Sequence, residues 1–165
     1  MFRIVSIVLT FLTVAVALPL RTHGQQPSTP SAAAIAAAYE TKVGALQEDF
    51  VREVNQTVRG ATSQLAGLNH KDHARIGTIH KTQRSQITKL EAAYRKTLAD
   101  ASKSAEEQLR SVQDRESVRR AHDKIKDKAK EVWDGSETIK FNGWKAIDDA
   151  SKAADERGRK HRGKK

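Results

Sequence analysis

The 165-residue chain contains no cysteine. Disulfide staples, a thiolate nucleophile and any cysteine-ligated metal site are therefore excluded, and a folded body has to be held by packing alone. Proline is almost absent as well, with three residues at positions 19, 27 and 30. From Ser31 onward only scattered glycines interrupt a helical reading. Aromatic residues make up 5% of the chain, leaving few rings to stack on unpaired bases. No alternating strand pattern, G-x-S-x-G, glycine-rich phosphate loop or H-E-x-x-H occurs. The carboxylates sit on charge-laced helix faces, where raised pKa values are not expected. These absences predict a protein that is not an enzyme and that needs no cofactor.

One long uncharged run is present, at the very start. Met1-Phe2-Arg3 is a short positive region, Ile4 to Leu20 carries no charge, and Ala15-Val16-Ala17 is a small-x-small cleavage signal. Gly24-Gln25-Gln26-Pro27 continues as a polar spacer. The pattern predicts a signal peptide over 1–17, with cleavage as late as residue 24, and a flexible spacer over 18–30. An uncleaved anchor is the alternative, although about 17 apolar residues is at the lower limit for a span. Once the leader is removed, no transmembrane segment is expected. Asn55-Gln56-Thr57 is a glycosylation sequon that a eukaryotic secretory pathway could use at Asn55.

The remaining sequence is rhythmic. Ile35, Tyr39, Val43, Leu46, Phe50, Val54, Val58, Ala61, Leu65 and Leu68 recur at steps of about 3.7 residues, one apolar stripe on a long helix. A heptad would average 3.5, so a standard left-handed coiled coil is not favoured. A second stripe runs from Ile76 through Ile87, Tyr94 and Leu98 to Val112, and resumes from Val118 to Val132. Gly67 and Asn69, followed by His70-Lys71-Asp72, read as a helix stop and a new cap. Acid-to-base pairs such as Glu48→Arg52, Glu91→Arg95, Glu106→Arg110 and Glu116→Arg120 read as solvated helix faces. The expectation is an all-α domain over 31–156. It is an antiparallel bundle of four helices near 31–66, 72–100, 104–133 and 137–157, with a turn at 100–104, where Ser104-x-x-Glu107 has capping-box spacing. The alternative is a long helical hairpin in which 72–133 is a single helix. Gly135 reads as a helix end, and Trp144, Ile147, Ala150 and Ala154 as the buried face of a last helix. Trp133, Ile139, Phe141, Trp144 and Ile147 crowd the aromatic content into this one region, and an exposed aromatic patch for partner binding is the competing reading.

The formal net charge is +10, and the excess of Lys and Arg lies mainly after residue 71. Such a balance favours acidic partners and says nothing about fold. The last nine residues, 157–165, hold Arg157, Arg159, Lys160, Arg162, Lys164 and Lys165 with two glycines. Like charges at this density predict a disordered basic tail, suited to binding polyanions, to nuclear import or to solubility alone. Import makes sense for an exported protein only inside another organism's cell, so leader and tail together suggest an effector reaching a host nucleus. His70, His73 and His80, with Asp72 among them, are candidate metal ligands, but their spacing matches no strong zinc pattern. Three functions follow as expectations. The first is a secreted, non-catalytic helical interaction protein with a protein partner. The second is a binder of nucleic acid, heparin or anionic membrane through the tail. The third is an amphipathic lipid-surface binder.

Overall fold

A computed structural model describes residues 30–157 and 159. The leader, the spacer up to residue 29, and residues 158 and 160–165 lie outside the described part, as do the expectations placed on them. Among the described residues the protein is all-helical. Helix α1 spans Ala32–Ala66, a short 3-10 turn spans His70–Asp72, and α2 and α3 span His73–Leu109 and Arg115–Glu156. No described helix is long and apolar enough to cross a membrane.

Each boundary has a local cause. Ser31 accepts a hydrogen bond from the Ala34 amide at 3.2 Å and caps α1, as its place after Pro30 suggests. Gly67 closes that helix, and Asn69 and Asp72 then form a reciprocal capping box over the 3-10 turn. Asp114 starts α3 by accepting from the Glu116 amide at 3.1 Å and from the Ser117 hydroxyl.

The bundle has three helices, not four, and it is not a two-helix hairpin. The expected turn at 100–104 does not form, because Ala101, Ala105 and Leu109 continue the stripe of α2 and are all buried. A break at Ser104 would interrupt that packing for one local cap. The chain reverses instead at 110–114, where Val112 is the one apolar residue and Asp114 is ready to cap. Gly135 does not end a helix either. A helical glycine costs about 1 kcal/mol relative to alanine, but the fully buried Val132 and Ser136 flank it and tertiary packing carries α3 through. The segments expected at 104–133 and 137–157 thus merge, from Arg115 onward, into one helix of 42 residues.

The helices run up, down and up. Tyr39 donates to or accepts from Ser102 at 2.9 Å, and Phe50 stacks on Tyr94 with ring centroids 4.8 Å apart, so α1 and α2 are antiparallel. Arg84 meets Asp148 and Arg95 meets Glu137, so α2 and α3 are antiparallel too. At about 1.5 Å per residue the body is a rod on the order of 50–60 Å long. Its core divides into three stretches. Ile35, Tyr39 and Val43 pack with Leu98, Leu109 and Ile125 at the end that holds the α2–α3 turn. Phe50, Val54, Ile87, Tyr94 and Ile147 fill the middle. Leu65, Leu68, Ile76, Ile79 and Ala154 close the far end.

Candidate functional site

The α2–α3 turn places three arginines around one cleft. Arg110 caps the end of α2, Arg115 opens α3, and Arg119 follows one helical turn later. The cleft has a volume of about 380 Å³ and its floor is aliphatic, formed by Leu109, Val112 and Val118, with His122 at one side. All three arginines are exposed. Arg52, Arg84, Arg95, Arg120 and Arg159 enter ion pairs, whereas Arg110, Arg115 and Arg119 enter none among the described residues; Arg59 and Arg75 are likewise without an ion pair but stand singly on α1 and α2. Their guanidinium groups are therefore uncompensated at one end of the rod. Of the neighbouring carboxylates, Glu106 lines the adjoining pocket beside Arg110 and His122, and Asp114 has its oxygens occupied at the helix start. Hydrogen bonds from the Ser117 hydroxyl and from the Ser117 and Glu116 amides hold its carboxyl below the ordinary value. The imidazole of His122 lies 3.8 Å from Glu106 and 3.9 Å from Asp123.

Further along the α2–α3 seam the cations are used internally. Arg84 bonds Asp148 at 3.2 Å, lies 4.5 Å over the Trp144 ring, and its carbonyl accepts from the Trp144 indole at 3.2 Å. Arg95 lies 4.2 Å over Trp133, donates to Ser136 and pairs with Glu137 at 3.0 Å, which holds the Glu137 carboxyl below its ordinary value. Glu91 is buried between Arg95 at 2.9 Å and Lys140 at 2.7 Å. Its pair with Arg95 reads in sequence as a solvated i,i+4 contact, yet Glu91 occupies a core slot, four residues after Ile87 and three before Tyr94. That spacing was the available signal. Trp144 is half-buried and Ile147 and Ala154 are buried, as their spacing suggests, while Trp133 and Phe141 are 41% and 64% exposed.

The tail residues divide. Arg157 belongs to the folded body. Its guanidinium donates to the carbonyls of Leu65 (2.8 Å) and Ala66, and its own carbonyl accepts from the His70 amide at 3.2 Å. It thereby ties the end of α3 to the end of α1. Arg159 pairs with Asp155 at 2.6 Å. Lys160, Arg162, Lys164 and Lys165 lie outside the described residues. The three histidines serve separate partners: His70 meets the Arg157 carbonyl, His73 meets Asp155 at 2.6 Å, and His80 meets Asp148 at 2.7 Å. No group of three or more metal-ligating side chains is assembled among the described residues. Asn55 is exposed on α1. Comparison of the chain with family models, with curated proteins and with solved structures gave no match in any of the three.

Proposed function

We propose that the protein is a secreted, non-catalytic helical binding protein whose macromolecular partner is a polyanion. The observation that supports this reading best is the set of three unpaired arginines around the α2–α3 cleft, on a chain of net charge +10. Guanidinium groups lose little hydration on pairing and match tetrahedral oxyanions bidentately. A cationic surface also speeds encounter with an anionic partner. Secretion rests on the leader-like residues 1–17 and adds the prediction that the mature chain begins between Leu18 and Gln25.

The body enters this reading as a contributor rather than as a carrier for the tail. Lys126 and Lys130 lie seven and eleven residues after Arg119 on the same helix. Both are exposed and add positive charge between the cleft and Trp133, with the exposed Asp123 separating them from Arg119 on that face. The test is retention of the purified chain on immobilised heparin and on DNA, eluted with a salt gradient, against neutral dextran as control. Elution from both anionic supports above physiological salt, with no retention on dextran, is the expected result. Passage through every support at 0.15 M salt would remove the polyanion reading.

A further inference from the structure

We infer that the cleft at the α2–α3 turn is a saccharide-sulfate site: Arg110, Arg115 and Arg119 hold the sulfate esters of a sulfated polysaccharide while a sugar ring rests on Leu109, Val112 and Val118. The inference deepens the polyanion reading and depends on it. The cleft, at about 380 Å³, falls in the range of small-ligand sites and has room for one or two sugar units. Its rim and its floor ask for different chemistry. The rim offers planar, permanently charged donors that suit a tetrahedral oxyanion. The floor is aliphatic, with two partly buried valines packed against the core cluster.

A sulfated sugar carries both complements on one unit, with apolar C–H groups on the ring and anionic esters at its edge. A nucleic acid would use only the rim. Its apolar surfaces are base faces, which single-strand binders hold on aromatic rings, and no Phe, Tyr or Trp lines this cleft, the one ring there being the His122 imidazole at its side. Arg115 and Arg119 start about 6 Å apart along α3, and Arg110 approaches from the opposite helix. The three charges therefore surround a compact group and do not form a long track along a phosphate backbone.

The experiment is isothermal titration of the purified full chain with a heparin-derived octasaccharide. The comparator is a single-stranded oligonucleotide of equal charge. The triple substitution Arg110→Gln, Arg115→Gln and Arg119→Gln should lower octasaccharide affinity at least tenfold, while oligonucleotide affinity changes less than threefold. The matching triple Arg→Lys chain keeps the charge and loses the bidentate fork, so its affinity should fall between the two. Helix content and melting temperature of each variant identify any loss that comes from misfolding, and the Arg→Lys chain gives the answer if the Gln chain does not fold. Unchanged octasaccharide binding in a folded triple variant would overturn the inference, as would an equal loss for both ligands, which marks a site for any polyanion. Absence of binding by the unsubstituted chain would instead remove the parent reading of a polyanion partner.

Discussion

At the scale of single residues the core is set as much by missing side chains as by large ones. Gly143 occupies a buried position of α3, where an added Cβ would come within 2.9 Å of both Ile87 Cδ1 and Val54 Cγ1. The three helices therefore approach closely there. Gly143→Ala gains roughly 1 kcal/mol of helix propensity but forces an overpacking cost of about 1–3 kcal/mol, and the net effect should be a lower melting temperature. Gly77→Ala meets nothing within 4 Å on an exposed helical face, and it should stabilise by about 0.5–1 kcal/mol. Denaturant titration of the two variants should give shifts of opposite sign. Glu91 is the other decisive residue. Arg95 approaches its Oε1 without hydrogen-bond geometry, so the contact is mainly one of charge. Glu91→Ala should cost about 2 kcal/mol, below the ~3–5 of a fully buried pair, because Arg95 and Lys140 each retain about a fifth of their exposure. An unchanged unfolding midpoint would show that the cluster is dispensable.

At the scale of elements, what the sequence disclosed depended on whether a boundary carried its own chemistry. Helix α1 was legible throughout, since Ile35 to Leu68 step evenly and Ser31 caps the start. The α2–α3 boundary was misplaced because Ser104-x-x-Glu107 imitates a cap, while the true start is Asp114, within the 113–117 stretch that lacks apolar residues between Val112 and Val118. Continuity of the buried stripe outweighs such a local signal. Stripe reading also stopped at Ser136 and Gly143, which sit in the core of α3 without apolar side chains. The arginine cleft was not visible in sequence, because it forms only when the turn sets Arg110 opposite Arg115 and Arg119. Two predictions belong here. Asp114→Ala removes a cap whose carboxyl is held below its ordinary value. That contribution is present above the ordinary carboxylate range and is lost as pH falls through the lowered value, so the variant should melt earlier at pH 7 and match the parent in strong acid. Arg157 changes the expected effect of trimming the C-terminus. A chain ending at Glu156 should lose stability through the missing Leu65 and Ala66 contacts, whereas one ending at Arg159 should melt like the parent. Identical thermal melts for the two truncations would show that the Arg157 tie carries no stability.

At the scale of the whole molecule the fold separates two cationic regions. The arginine cleft lies at the end formed by the α2–α3 turn, and Arg157 and Arg159 mark the other end, where α3 finishes beside the end of α1. Reading the sequence alone assigns polyanion binding to residues 157–165, with the body as carrier. The grouping of three unpaired arginines at one cleft shifts the proposal toward the body. The most direct measurement is the salt dependence of heparin affinity for a chain ending at Arg159. Each cationic contact contributes on the order of 0.7–0.9 to the slope of log affinity against log salt, by analogy with nucleic acids. If the body carries the site, this chain keeps affinity within about tenfold of the parent, with a slope of roughly −2 or steeper. Loss of measurable heparin binding in this chain, with its melt intact, would contradict the account and return the function to the tail.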